Sequence, residues 1–430
     1  MRCRAMRPAV AGLALACAAT AQAGEDAVPP WSGELRAHLD PRSANAAGPL
    51  AEAAALAPEL VPLPRSGATL EAGVRGQWRA LSADLLLRHE RLEGGETDST
   101  ARFNELFVSA AVPGTADAWQ LGAGRRIVAW DVGYAWRPND VVQQELRRTL
   151  LGTTQQGRPV LQLDHFGAAT AWSLVWANPH HLNAGLDRSW GSEESALALR
   201  VYRQHGALDI HGFARWGEHT RGGVGLAVAW VASEGLELHG SWHFAQAHDG
   251  WRSDTDPADP GLQRANPWQQ ATLGAAQMAL AGLTWTGAAQ WSLLAEAWHD
   301  GSAPADSQWR DWQQRTDALS AAARSPGAPP ELRPAYAGNL AWQATPWLAQ
   351  NLRRDNLFMR LSWQHGGWQP AMDVLLTPAD GGRTVTASLA WQGDRLRLEA
   401  GLRQYGGPAD ALLAQLPLRR AGYLMATHAF

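Results

Sequence analysis

Apolar and polar residues alternate strictly over nine or ten positions, and the pattern recurs along the whole chain. In one stretch Leu236, Leu238, Gly240, Trp242 and Phe244 interleave with Glu237, His239, Ser241, His243 and Ala245. Leu396, Leu398, Ala400 and Leu402 interleave in the same way with Arg397, Glu399, Gly401 and Arg403. A period of two marks a β-strand with one apolar and one polar face. Roughly 9–11 tilted residues is also the length that crosses a hydrocarbon core.

Eighteen segments read this way: 31–39, 69–78, 81–90, 103–112, 119–129, 159–166, 171–177, 195–204, 207–216, 222–231, 236–245, 275–285, 290–298, 356–364, 368–376, 382–391, 396–404 and 420–430. Sixteen is the alternative count. The links between them are sorted by length. After even-numbered segments they are short, as at Arg79-Ala80 and Gln392 to Arg395; after odd-numbered ones they are usually long, as in 130–158, 178–194, 246–274 and 299–355. Short turns at one end and long loops at the other belong to a single transmembrane antiparallel β-barrel, and the expected fold class is all-β.

Tryptophan placement points the same way. The chain holds 23 tryptophans against seven phenylalanines and five tyrosines, while its mean hydropathy is only −0.28. Tryptophan favours a membrane–water interface, because its ring is apolar and its N–H seeks a wet partner. Trp78, Trp119, Trp172, Trp230, Trp285, Trp291, Trp363, Trp368 and Trp391 all lie near short turns. Folded as hairpins, they form a girdle at one level; Trp216, Trp242 and Trp298 are expected near the opposite rim.

The beginning of the chain reads as a targeting segment, 1–23. Arg2, Arg4 and Arg7 precede an apolar run from Ala9 to Ala19, and Ala21-Gln22-Ala23 offers a cleavage pattern. Lipidation at Cys17 is the other reading. Both cysteines, Cys3 and Cys17, fall inside this segment, so residues 24–430 offer no disulfide or thiolate chemistry. The formal net charge of −4, with arginine and no lysine, gives no basic patch for nucleic acid. At the other end, Phe430 closes an alternating strand and resembles the signal read by the barrel-assembly machinery.

Three stretches admit other readings. Ala271 to Ala295 carries no charge, and a membrane helix is the rival reading, but Trp285 and Trp291 would then sit at mid-depth. Residues 40–66 read as a surface loop. In the loop 299–355, Gln308 to Arg324 has a helical pattern with Trp309 and Trp312 on one face. Asp249, Asp254, Asp256 and Asp259 lack the spacing of an EF-hand and read as a solvated acidic loop.

The least generic stretch runs from Gly122 to Pro179. It contains Gly124-Arg125-Arg126-Ile127-Val128-Ala129-Trp130-Asp131, then Trp136-Arg137-Pro138-Asn139-Asp140, and later Trp172-Ser173-Leu174-Val175-Trp176-Ala177-Asn178-Pro179. This resembles a group of porin-like outer-membrane proteins of uncharacterised function and, more distantly, is similar to alginate-export barrels. Asp131 stands where that group commonly has glycine. The resemblance implies a barrel in the outer membrane of a Gram-negative bacterium and does not specify cargo.

No Gly-x-Ser-x-Gly or His-Glu-x-x-His occurs. His239 and His243 would share a strand face about 13 Å apart, too far for one metal. Neither an enzyme activity, a cofactor nor a metal is expected. The expected function is a porin-like channel or export pore for small polar or amphipathic solutes. The other reading is a non-conducting barrel that works in assembly, adhesion or surface binding through its loops. Expected partners are lipid, the assembly machinery, an unidentified small-solute cargo and, for export, a periplasmic partner.

Residues 130–158 combine charges with Trp130 and Trp136, which an exposed loop does not require. They are expected to fold inward and narrow the lumen. Arg126, Asp131, Arg137, Asp140, Gln144 and Arg147 are the constriction candidates, with Arg126, Arg137, Asp140 and Arg147 pairing to wall charges. The expected lumen wall includes Arg75, Asp84, Arg88, Arg200, Arg215, Glu237, Arg360, Arg397 and Glu399.

Overall fold

A computed structural model describes residues 31–116, 118–143, 156–182, 193–259 and 261–430. The expected targeting segment, Gln144 and Arg147 lie outside the described residues. The strands are β1 (Trp31–Asp40), β2 (Arg42–Ala44), β3 (Gly67–Trp78), β4 (Leu81–Leu92), β5 (Thr97–Ala111), β6 (Trp119–Arg126) and β7 (Arg158–Phe166). They continue with β8 (Thr170–Ala177), β9 (Ala196–His205), β10 (Leu208–Gly217), β11 (Arg221–Ser233), β12 (Leu236–Ala245), β13 (His248–Ser253) and β14 (Trp268–Leu273). The last are β15 (Ala276–Thr286), β16 (Trp291–Asp300), β17 (Asp355–Trp363), β18 (Trp368–Thr377), β19 (Gly382–Gln392), β20 (Leu396–Gly406) and β21 (Leu418–Ala429).

Eighteen of these strands form one closed antiparallel barrel. Each pairs with its neighbour in chain order, and β1 closes the ring by pairing with both β3 and β21. At the seam, Gly33 and Phe430 exchange two backbone hydrogen bonds of 2.9 Å. Closure leaves the sheet without an open edge, which a hydrocarbon environment demands. The short β2 extends the pairing of β21, and β13 with β14 forms a separate hairpin.

Period-two alternation sets the two faces. On β12, Leu238 and Trp242 are 36% and 42% exposed, while His239, Ser241 and His243 between them are buried on the inner side. All nine tryptophans expected near short turns sit on the outward face of their strands, at the short-turn rim. Trp216 and Trp242 face outward toward the long-loop rim, but Trp298 does not. It points inward and stacks on Trp136 at 6.0 Å, because it shares the inner parity of Glu296 and Asp300. The uncharged stretch 271–295 is the end of β14, then β15, a tight turn and β16. No helix among the described residues is long and apolar enough to cross a membrane.

Strand β6 ends at Arg126, three residues sooner than alternation implies. The Glu105 side chain takes the Ile127 N–H at 2.9 Å, and Gly157 N–H occupies the ladder carbonyl of Asn104 at 2.8 Å. The chain thus leaves the wall at residue 127 and turns into the barrel.

Several long loops fold together over part of the long-loop rim. Residues 40–66, read above as a plain loop, contain the helix Pro49–Leu56, opened by proline in the first turn and continued by alanines. It packs on the helices Asp306–Arg324 and Arg333–Trp342 through Ala53, Ala54, Leu319 and Leu340. Trp309 and Trp312 both lie inside, their N–H groups bonded to the carbonyls of Leu352 and Gln343 at 2.6 and 2.7 Å. The acidic loop wraps Arg315, whose guanidinium donates to the carbonyls of Asp256, Asp259 and Gly261. A side-chain cation fills the place that an acidic loop offers to one.

Candidate functional site: a segment held across the lumen

Residues 127–143 run inside the barrel. Their apolar side, with Val128, Trp130, Val141 and Val142, packs on inward-facing Phe107, Val160, Val175, Phe213 and Ala227. Burial of four such side chains contributes on the order of 1.5–3 kcal/mol each, which explains Trp130 beside charged neighbours; Trp136 packs separately on Leu280 and Trp298. Non-helical backbone is tolerated at this depth because it is buried in protein.

Polar pins fix the segment to the far wall. The Glu296 carboxylate, on β16, accepts the backbone N–H of Tyr134 and of Ala135 at 2.7 Å each. His239 Nε2 lies 2.9 Å from the same carboxylate, and both side chains are fully buried. A second pin is built on Asp131. It accepts the N–H of Asn139 at 2.6 Å and of Val132 at 2.8 Å, and Ser241 Oγ–H on β12 at 2.8 Å. Burial pushes the Asp131 carboxyl above the usual carboxylate range, against the pull of these hydrogen bonds and of Arg137.

Asn139 completes the anchor. Its amide N–H groups donate to Ser241 Oγ at 2.7 Å and to the Trp242 carbonyl at 3.1 Å, and its Oδ1 lies 3.0 Å from His243 Nδ1. The contact needs a bare wall at Gly225, where an added Cβ would come within 1.7 Å of Asn139 Oδ1. Arg215 also donates to the Val141 carbonyl at 3.1 Å while pairing with Glu194 at 2.6 Å.

The candidate residues divide accordingly. Asp131 is a pin, placed where the resembling group commonly has glycine. Asp140 is buried in the segment. Among the described residues, Arg126 and Arg137 form no ion pair with a wall carboxylate. Arg126 donates to the Gln162 amide oxygen at 3.2 Å and lies over the Phe107 ring; Arg137 uses its Nε on the Gly133 carbonyl at 2.8 Å. Hydrogen bonds to buried carboxylates on the segment and the wall hold it instead. Glu296, Asn139, Ser241 and Gly225 were not singled out from sequence. One signal was present: Glu296 is the first charge after the uncharged run 271–295.

Away from the segment, the inner wall carries paired charges. Arg36 lies 3.1 Å from Glu34 and 3.3 Å from Glu71; Arg75 meets Asp84 at 2.9 Å and Arg88 meets Glu90 at 2.8 Å. Arg360 pairs with Asp373 and Arg397 with Glu399, each at 2.9 Å. Arg200 lies 3.2 Å from His211 Nδ1, and Glu237 accepts the Tyr134 hydroxyl at 3.4 Å. Pairing of this kind, along one strand (Glu34–Arg36, Arg88–Glu90, Arg397–Glu399) or across two (Arg36–Glu71, Arg75–Asp84, Arg360–Asp373), holds long side chains against the wall and leaves little net field.

Between the segment and the outer loops lies a cavity of about 320 Å³. The segment contributes Trp136, Arg137 and Asp140; the wall contributes Arg215, His243 and Asp300; the outer loops contribute Trp251 and Arg354. Asp300 is already occupied, by Ser302 N–H at 2.9 Å and the Asn351 amide at 2.7 Å.

No family model and no curated protein sequence matches the chain. Among solved structures, OccAB1 of Acinetobacter baumannii is similar over 93% of this chain and 96% of that one, with a TM-score of 0.53 at 9% identity. OccAB3 of the same organism gives a TM-score of 0.47 at 8% identity, covering 93% of this chain and 98% of that one. A mutant of the Rh. blastica porin gives 0.41 at 9% identity, covering 93% and 99%. At these identities only the fold is shared, and the first comparison carries it: this chain has a porin-like β-barrel fold.

Proposed function

We propose that the protein is an outer-membrane channel for small polar or amphipathic solutes, narrowed by residues 127–143. The observation that carries this reading is the double carboxylate pin, Glu296 and Asp131, which holds a chain segment inside a barrel whose remaining wall is charged. A barrel needing only a filled core has no use for that charged remainder, since burying paired ions is at best neutral against apolar packing. In this reading Asp131 positions the constriction and Arg137 and Asp140 line its outer side. Gln144 and Arg147 remain constriction candidates on sequence grounds alone. Phe430, bonded across the seam, serves barrel assembly. Wall charges of both signs favour wet passage over strong ion selectivity.

Single-channel recording of refolded protein in a planar bilayer tests the reading. Steady openings are expected, and deleting Asn139 to Thr154 should enlarge them while the barrel still assembles. A silent but correctly folded barrel would instead support assembly, adhesion or surface binding through the outer loops.

A further inference from the structure

Beside the seam, the lipid-facing surface of the barrel is hollowed by an open apolar groove of about 950 Å³. It follows one row of directly paired, outward-facing residues. The row passes from Trp391 on β19 through Leu398 and Ala426 to Ala37 on β1, then through Leu70 to His89 on β4. Barrel strands tilt, so such a row climbs obliquely from the short-turn rim at Trp391 to the long-loop rim at His89 and Arg91. Ala37 and Ala426 form its floor, and Leu39 and Leu424, 52% and 56% exposed, stand above them on the long-loop side. A second hollow of about 490 Å³, lined by Gly422 and Pro41, shares Leu389, Ala400 and Leu424 with the first.

Charge on this arc is one-sided. From β18 round to β4, the outward strand positions carry Arg91, Arg383 and Arg420, besides His89 and His428, and no carboxylate. All three arginines are exposed near the long-loop ends of their strands, and among the described residues their guanidinium groups have no partner. The carboxylates in the adjoining long-loop-side links are Glu52, Glu59, Glu93, Glu96, Asp380 and Asp410. Glu52, Glu96 and Asp380 are taken by Arg324, Arg65 and Arg353, and none of the six pairs with the three arginines. Elsewhere on the outward wall near that rim, the described arginine is Arg125, which donates to the Gly157 carbonyl.

A second copy of the chain is a poor occupant. Among the described residues, the barrel strands turn one carboxylate outward, Asp355, and His299 already holds it at 2.7 Å. A facing barrel wall would bring no free carboxylate to these arginines. A lipid head would, because a guanidinium meets phosphate oxygens through two parallel hydrogen bonds, and an arginine stem lies along apolar surface while its head stays in the polar layer.

We infer that this groove holds the acyl chains of an anionic, phosphate-bearing lipid from the leaflet facing the long loops, with Arg91, Arg383 and Arg420 meeting its head. This rests on the barrel's being embedded in a membrane and not on its conducting. The two joined hollows take separate chains of one molecule, and the arginines at their long-loop ends offset its charge.

The test is lipid retention by the full barrel, measured by native mass spectrometry after extraction from vesicles of phosphatidylglycerol and phosphatidylcholine in equal amounts. Phosphatidylglycerol should be retained several-fold over phosphatidylcholine. The preference should vanish in the Arg91→Gln, Arg383→Gln, Arg420→Gln triple variant and fall in part in Arg420→Gln alone. Filling the floor with Ala37→Phe, Ala426→Phe should reduce the lipid retained several-fold while the arginines stay intact. Ala214→Phe, on the outward face of β10, should retain lipid as wild type does. These substitutions all lie on the outward face, away from the pinned segment. An unchanged preference in the arginine variants, unchanged retention in the floor variant, or full displacement by inorganic phosphate would overturn the inference. Self-association of the barrel in place of bound lipid would do the same.

Discussion

Glu296 and Tyr134 lie 162 positions apart, yet the carboxylate of one accepts the backbone N–H of the other at 2.7 Å inside the barrel. The adjacent N–H of Ala135 meets the second carboxylate oxygen at the same distance. Two parallel charge-assisted hydrogen bonds from one carboxylate fix both the position and the direction of the segment they hold. A single neutral contact would leave it free to pivot.

Replacing Glu296 by alanine should release this end of the segment. Two buried N–H groups would lose their acceptor, at roughly 1–3 kcal/mol each, and His239 would lose its partner. Single-channel current should become larger and noisier, while the unboiled protein still migrates faster than the boiled one. Unchanged conductance in a folded variant would show that Glu296 does not set the constriction.

Gly225 offers a steric route to the same end. A valine there would put its branched side chain where Asn139 Oδ1 now lies, 1.7 Å from an ideal Cβ. Conductance should shift as in the Glu296 variant. Gly212, on the outer face of β10 with no atom within 4 Å of its ideal Cβ, is the control; its alanine variant should behave as wild type. Equal behaviour of the two variants would count against the Asn139 anchor.

His181 supplies a pH-dependent contact in an outer loop. Hydrogen bonding to the Glu193 carbonyl and the nearby Glu218 carboxylate, at 3.0 Å, raise its pKa above the ordinary histidine value. A raised histidine pKa stabilises the folded loop fully below the unfolded value, and the contribution is lost as pH rises through the folded value. NMR titration of His181 should therefore show a midpoint above about 6.5, falling in Glu218→Gln. A midpoint indifferent to that substitution would remove the carboxylate from the account.

Arg315 organises the acidic loop. Methionine at this position would keep most of the packing volume but leave the carbonyls of Asp256, Asp259 and Gly261 without their donor. Losing these bonds should cost about 2–4 kcal/mol of local stability and open residues 254–261 to limited proteolysis. The barrel core should remain protected, and added Ca²⁺ should not restore resistance. Calcium-dependent protection would revive the cation-site reading of the four aspartates.

How far the chain was legible depended on the range of the interaction. Alternation in stretches such as Leu236 to Ala245, the sorting of link lengths and the tryptophans beside short turns located all eighteen barrel strands and the outward girdle. Those signals are local, because a residue's face follows from its parity and a turn's length is written in the chain. Tertiary structure alone decided that inward-facing Trp298 meets Trp136, that a helix forms at Pro49–Leu56, and that residues 127–143 cross to β12 and β16. It also decided that Asp131 and Glu296 hold the segment to β12 and β16. Such pins join positions 57 to 162 residues apart, and a carboxylate is buried only where a particular set of distant donors converges on it. Parity showed that Glu296 would face inward; only the closed barrel brought Tyr134, Ala135 and His239 to it.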